Sequence, residues 1–157
     1  MIADVRLDGF TTAPLPAKFE AGTPPITEAI GLGAAVRFLE GLGMANVRRH
    51  ELEMADHALR TLTERFGDDI QIHGPRNLEV RGATFSFAFR DIHPHDLSQV
   101  LDKRNVCVRA GHHCAKPLMK LLGVNATARA SFYVYNDHDD VETLAEALDS
   151  ATDIFGP

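Results

Sequence analysis

The sequence has few cysteines, no excess of basic residues and no long apolar run. Its two cysteines lie seven residues apart. This spacing does not suggest a disulfide framework, and a reducing compartment would keep both as thiols. The 16 lysines and arginines are outnumbered by 22 acidic residues, which gives a formal net charge of −6. Because proteins that bind nucleic acid usually carry a basic face, this charge argues against a nucleic-acid partner.

The sequence also predicts no membrane span. Its most apolar stretch, residues 29–36, is short and is broken by Gly31 and Gly33. The charged residues Asp4 and Arg6 lie where a signal peptide would need an apolar run. We therefore expect a cytoplasmic protein with no membrane partner.

With 157 residues, of which 45% are apolar and 24% charged, the chain has the profile of one soluble globular domain. The spacing of apolar residues predicts an α/β sandwich, in which helices cover a small sheet. The first predicted helix has Thr23 as its N-cap and Pro24 as its first residue, and it ends at about residue 42. Further helices are predicted over residues 45–66 and 94–104, and a last one after a cap at Asn136 or Asp137. Strands are predicted at residues 2–7, 70–73, 84–89, 106–108 and 128–135.

The loop at residues 109–117 is the most informative segment. The loop follows a predicted buried strand, and a short helix is predicted to begin near Pro117. Cys114 therefore lies just before the start of a helix. Arg109, Lys116, two histidines and the helix dipole would favour the thiolate, which is the nucleophilic form. A merely packed thiol is the alternative for Cys114. Cys107, between two valines, is predicted to be a small buried hydrophobic residue.

A zinc site is a competing interpretation of this region. The candidate ligands are His93, His95, His112, His113 and Cys114. The chain has neither a Cys-x-x-Cys motif nor a His-x-x-x-His spacing on a helix. Adjacent histidines also tend to point in different directions, so the signal for zinc is weak.

Residues 109–117 resemble the active-site cysteine loop of SUF-type cysteine desulfurases, in the class V aminotransferase group. Residues 19–24 resemble the segment that follows the large domain in that family, and residues 126–131 with Tyr135 and Asn136 resemble the strand that bears its substrate arginine. The likeness extends over about residues 1–155. It implies the small C-terminal domain of a fold-type I aminotransferase-like enzyme, with a short, mainly antiparallel sheet covered by helices.

The resemblance also implies an activity. The full-length enzyme would convert L-cysteine to L-alanine with pyridoxal 5'-phosphate as electron sink. Cys114 would be the catalytic nucleophile and would hold the sulfur as a persulfide for an acceptor protein in iron–sulfur cluster assembly. Arg129 would bind the substrate carboxylate through a bidentate fork; a solvated strand-edge cation is the alternative. Arg109 would orient the cysteine loop or its persulfide, although a surface salt bridge would explain it equally well.

Three further residues take roles from the resemblance alone. Gly22 and Thr23 would contact the cofactor phosphate of the neighbouring subunit in a homodimer, and a plain N-cap is the alternative for Thr23. His95 would engage the zinc of an acceptor protein of the SUF system. Exposed polarity at a helix start is the alternative for His95.

The cofactor lysine of the family follows a histidine in a Ser-x-His-Lys context. None of the chain's four lysines, Lys18, Lys103, Lys116 and Lys120, has that context. We therefore expect a C-terminal fragment, inactive and without bound cofactor by itself, in which residues 1–24 are a connector from a missing large domain and residues 25–157 the small domain. A stand-alone sulfur carrier and a zinc-binding module are the alternatives. A carrier would need neither a carboxylate clamp nor a phosphate contact, which favours the enzyme.

Overall fold

The chain is described over residues 1–156 by a computed structural model, in which it divides into two units, residues 1–44 and a second unit that begins at Ala45. The first unit contains an antiparallel hairpin of β1 (Ile2–Arg6) and β2 (Gly9–Thr12), followed by helix α1 (Ile26–Leu42). No residue of α1 is buried. The predicted boundary between a connector and a domain at residue 24 concerns the longer protein and stays a prediction.

The start of α1 differs from the prediction. Thr23 is not its N-cap and Pro24 is not its first residue, because the helix begins at Ile26 after Pro25 and has no side-chain cap. A residue that precedes a proline is disfavoured in the helical region. Pro24 precedes Pro25, which disfavours the helical conformation at Pro24, and the helix begins after Pro25. Its end agrees with the prediction, at Gly43 with φ +82°.

The second unit is a four-stranded sheet with helices. Along the chain, its elements are α2 (Met44–Phe66), β3 (Ile70–His73), β4 (Thr84–Phe89), α3 (Pro94–Asp102), β5 (Arg109–Gly111), α4 (Lys116–Leu122), β6 (Thr127–Ser131) and α5 (His138–Phe155). The strand order is β3-β4-β6-β5, and all three pairings are antiparallel. This mixed α/β architecture with a short antiparallel sheet confirms the predicted fold class.

Strand β4 divides the sheet into a core face and a polar face. Phe85, Phe87 and Phe89 are fully buried on the core face, where side chains from α2, α3 and α5 surround them. Phe66 of α2, for example, packs edge-on against Phe89 with ring centroids 5.1 Å apart. Complete burial of one such side chain contributes about 1.5–3 kcal/mol. Because side chains alternate along a strand, Ser86 and its neighbours of like parity lie on the polar face.

One predicted strand is absent and another is shorter than predicted. Residues 106–108 form no strand; the amide of Val106 donates to the carbonyl of Leu101 at the end of α3, and pairing with β6 begins only at Arg109. The predicted strand 128–135 ends at Ser131, because Tyr133 and Asn136 form a turn closed by two hydrogen bonds.

The predicted cap at Asn136 or Asp137 is confirmed at Asp137. Its carboxylate accepts from the amides of Asp139 and Asp140, and the Asp140 carboxylate accepts from the Asp137 amide. This reciprocal arrangement satisfies backbone donors that the first turn of α5 would leave without partners.

Candidate functional site

The cysteine loop connects β5 to α4. Gly111 ends β5 with φ +125°, a conformation that favours glycine. The amide of Ala115 then donates to the carbonyl of His112 at 2.8 Å and closes a turn. Between them, His113 and Cys114 both have positive φ, +54° and +60°. Left-handed backbone is unfavourable for residues with a Cβ, and such strain occurs most often at functional sites.

Cys114 is exposed at the surface of this loop. The structure confirms that it lies two residues before a helix, since α4 starts at Lys116 and has Pro117 in its first turn. Cys107 is also exposed, so its prediction as a buried hydrophobic residue is wrong. The valines on either side of it are partly buried against the core, and alternation therefore turns the side chain of Cys107 away from the core.

Four side chains form a row across the polar face of the sheet. Arg109 of β5 is opposite Arg129 of β6, Arg129 is opposite Ser86 of β4, and Ser86 is opposite His73 of β3. Residues directly opposite in an antiparallel sheet project to the same face. We call His73, Ser86, Arg129 and Arg109 the polar row.

The two arginines of the polar row are unpaired. Within residues 1–156, no carboxylate lies in ion-pair distance of either guanidinium, and the buried Nε of the half-buried Arg129 makes no hydrogen bond. Like charges directly opposite on neighbouring strands repel each other. An anion bound between the guanidinium groups would relieve this repulsion, and a carboxylate fits the donor fork of arginine.

The cysteine loop is attached to the same strand by His113. Its Nε2 lies 2.9 Å from Oγ1 of Thr127, a fully buried residue two positions before Arg129. Burial lowers the pKa of His113 from its usual value of 6.5, and the guanidinium of Arg129 lowers it further, against an opposing contribution from Thr127. The neighbouring Arg109 and His112 act in the same direction as Arg129. His113 is thus held as a neutral imidazole at neutral pH.

The structure thus brings three of the predicted site residues to one part of the second unit: Cys114, Arg109 and Arg129. The sequence did not single out Thr127, which precedes the predicted strand 128–135 but is the first residue of the observed β6. It also did not single out His73, whose pKa is lowered by burial and whose Nε2 has no hydrogen-bond partner among residues 1–156.

The other predicted residues lie elsewhere. His95 is exposed in the first turn of α3, and its ring stacks on that of His93, the N-cap, at a centroid distance of 5.2 Å. Gly22 and Thr23 lie in the first unit, in an exposed bend before α1, where Gly22 has φ +77°.

The described residues do not support the zinc alternative. No group of three or more His, Cys, Asp or Glu side chains within residues 1–156 could hold a metal ion. In the same residues, no helix combines the length and the apolar character that crossing a membrane requires.

Comparison with known proteins gives consistent results. The family model for class V aminotransferases matches residues 1–144. A probable cysteine desulfurase of Streptomyces coelicolor is 45% identical over 156 residues, and one of Halalkalibacterium halodurans is 49% identical over the same length; each match covers 99% of this chain and 37% of the relative. The chain therefore spans little more than a third of the length of these relatives.

Solved structures show the same likeness. The apo cysteine desulfurase of Thermococcus onnurineus NA1 has a TM-score of 0.80 and 41% identity, with 97% of this chain and 37% of that chain covered. The cysteine desulfurase CsdA of Escherichia coli, solved as an S-sulfonic acid, has a TM-score of 0.79 and 34% identity, with 98% of this chain and 37% of that chain covered.

Proposed function

This chain belongs to the class V aminotransferase family, and we propose that it is the C-terminal part of a cysteine desulfurase that converts L-cysteine to L-alanine and keeps the sulfur as a persulfide on Cys114. The likeness to cysteine desulfurases that the sequence motifs indicated is confirmed by the relatives and by the solved structures. Members of this family depend on pyridoxal 5'-phosphate in general.

The observation that carries the proposal is the unpaired arginine pair beside the cysteine loop. Arg129 is half-buried, has no carboxylate partner within residues 1–156 and is opposite a second arginine. L-cysteine brings both a carboxylate for this pair and a sulfur for Cys114. A sulfur carrier would use the thiol but would leave the arginine pair without a role.

The proposed reaction transfers the sulfur of the substrate to Cys114. The Cys114 thiolate attacks the substrate sulfur, so that an S–S bond forms while the C–S bond of the substrate breaks. The electron pair of the broken bond stays with carbon, which takes up a proton and leaves as L-alanine. Arg129, with Arg109 beside it, holds the substrate carboxylate during this exchange. The cofactor of the family supplies an electron sink for carbon chemistry of this kind.

The lysine that binds the cofactor is proposed to lie outside this chain, because none of the chain's four lysines follows a histidine in a Ser-x-His-Lys context. The rest of the site is proposed to lie in the part of the enzyme that this chain does not span, so that the chain alone is inactive.

Two contacts with other chains belong to the same proposal. Gly22 and Thr23 are proposed to contact the cofactor phosphate of the neighbouring subunit in a homodimer, which their exposure allows. The sulfur acceptor is proposed to be a zinc-containing protein of the SUF system for iron–sulfur cluster assembly in the cytoplasm. His95 supports this, because its exposed imidazole makes no hydrogen bond to any residue between 1 and 156.

The test uses the full-length enzyme with a reductant present and compares Cys114→Ser, Arg129→Ala and the control Cys107→Ser. Serine cannot attack the substrate sulfur usefully, so we expect Cys114→Ser to release no alanine from cysteine. Arg129→Ala removes a charge-assisted pair worth about 2–5 kcal/mol, so its KM for cysteine should rise by roughly 30-fold to 4,000-fold. Cys107→Ser, at the other exposed cysteine, should retain wild-type rates. Near-full alanine release by Cys114→Ser would refute the proposal.

A further inference from the structure

The hydrogen bond between His113 and Thr127 is the only one made by a side chain of loop residues 112–115 to another residue between 1 and 156. The remaining bonds of the loop are between backbone groups, from Ala115 to His112 and from Met119 to Ala115. Both of these lie within the loop and the start of α4, so neither connects the loop to the sheet.

The loop backbone needs such a connection. His113 and Cys114 hold left-handed conformations that are unfavourable for both residues, with φ +54° and +60°. Strained backbone of this kind persists only where the surrounding structure fixes it. Thr127 can serve as the fixed point, because it is fully buried and is paired with Gly111, the residue that ends β5.

The same strand face carries the arginine that is proposed to bind substrate. Thr127 and Arg129 are two residues apart on β6, so their side chains project to the same side of the sheet. The hydrogen bond therefore ties the cysteine loop to a point next to Arg129. A shift of the loop against β6 would change the separation between the nucleophilic sulfur and the substrate carboxylate site.

The charge of His113 suits this role. Its pKa is lowered by burial and by the nearby Arg129, Arg109 and His112. A neutral imidazole adds no further positive charge beside the two unpaired arginines, and it can still hydrogen-bond to the Thr127 hydroxyl.

We propose that His113 is a positioning residue: its hydrogen bond to Thr127 holds Cys114 in register with Arg129 for attack on the substrate sulfur. The proposal rests on the proposed function. His113 itself takes no part in the bond exchange. Its contribution is to the placement of the nucleophile, which affects the rate of persulfide formation rather than the binding of cysteine.

The first measurement needs no activity. Thr127→Val removes the hydroxyl and keeps the size of the side chain, and Thr84→Val is the matched control on the neighbouring strand, where the threonine side chain makes no hydrogen bond within residues 1–156. In the 157-residue chain, we expect the Ala115 amide to exchange hydrogen at least about ten-fold faster in Thr127→Val, since opening of the loop becomes easier. The Thr84→Val variant should exchange at the wild-type rate. His113→Phe, which replaces a partly exposed side chain, repeats the test if Thr127→Val does not fold.

The second measurement is single-turnover persulfide formation in the full-length enzyme. Because misplacement of a reacting group by about 1 Å can cost about 100-fold in rate, we expect Thr127→Val and His113→Phe to slow the step by about 10-fold to 100-fold. KM for cysteine should stay within about two-fold of wild type, because Arg129 is intact. His113→Gln, whose amide can reach the Thr127 hydroxyl, should recover part of the rate.

The other possible results overturn different parts of the proposal. Unchanged exchange at Ala115 in the Thr127→Val chain, when the full-length wild-type enzyme does release alanine, overturns only the role of the His113–Thr127 hydrogen bond in holding the loop. Faster exchange with an unchanged rate of persulfide formation, or a rise in KM without a fall in rate, overturns the positioning role. A wild-type enzyme that forms no persulfide at Cys114 overturns the proposed function, and with it this role of His113.

Discussion

Two histidines, His73 of the polar row and His113 of the cysteine loop, have a pKa below the usual value. Burial lowers the pKa of His73, and burial followed by the charge of Arg129 lowers the pKa of His113. Both residues therefore favour the neutral form in the folded protein. In the unfolded chain, each would bind a proton near the usual histidine value of 6.5.

This difference predicts how stability depends on pH. When the folded pKa lies below the unfolded one, the unfolded state binds more protons, so the contribution to stability is present above pH 6.5 and is lost as the pH falls through the folded pKa. We expect the free energy of unfolding to decrease on acidification from about pH 7. His73→Gln and His113→Gln should each make this decrease shallower in urea titrations at a series of pH values. Slopes equal to wild type in both variants would contradict the assignment of neutral histidines.

Cys107 shows that a run of apolar residues does not predict which of their side chains are buried. The pattern Val-Cys-Val predicts three buried positions, and Val106 and Val108 do pack partly against the core. Their side chains and that of Cys107 cannot all project to the same side of an extended segment. A sequence of three apolar residues cannot show whether the second side of such a segment is covered, and here Cys107 is exposed.

At the scale of secondary-structure elements, the best-predicted parts are those with strong local signals. The strand 84–89 and the helix 45–66 carry regular apolar periodicity, and the structure confirms both. The strand at 109–111 was missed, because an Arg-Ala-Gly sequence has no alternation and becomes a strand only by pairing with β6. Pairing between distant segments is a tertiary effect that local spacing does not encode.

The cap of α5 gives a prediction at this scale. Asp137 accepts hydrogen bonds from two amides of the first turn, and the carboxylate of Asp140 accepts one from the Asp137 amide. Replacement of such an N-cap by alanine typically costs about 0.5–2 kcal/mol. We expect Asp137→Ala to lower the free energy of unfolding by about 1 kcal/mol in urea denaturation. Asp153→Ala, at an exposed position in the last turn of α5, is the control and should not lower it. Equal stability of Asp137→Ala and wild type would show that the capping interaction contributes nothing.

At the scale of the whole molecule, the sequence motifs indicated the family, and the structure showed how the site residues are arranged. The cysteine loop, the Arg129 strand and their order along the chain were enough to indicate cysteine desulfurases. The pairing of Arg109 with Arg129 and the contact between His113 and Thr127 depend on the register of β5 and β6. That register joins residues separated by the cysteine loop and α4, and the sequence offered no local signal for it.

The distribution of buried residues over the chain leads to a last prediction. The buried core cluster lies entirely between Met54 and Ala151, and no residue from 1 to 44 is buried. The first unit instead exposes many large apolar side chains, among them Ile30, Val36 and Phe38. Hydrophobic stabilisation scales with the apolar area removed from water, so it should come almost wholly from the second unit.

We therefore expect a variant without residues 1–43 to fold, with a free energy of unfolding within about 1 kcal/mol of the 157-residue chain. The slope of urea denaturation should change little, because it follows the surface exposed on unfolding. The variant should also bind less of a fluorescent apolar dye, since it lacks the exposed apolar side chains of α1. Leu148→Ala in the complete chain is the comparison, because this fully buried leucine should cost about 2–5 kcal/mol. If the shortened variant is unfolded in water, residues 1–43 stabilise the second unit in a way that the burial pattern does not reveal, and its stability cannot be assigned to the core cluster alone.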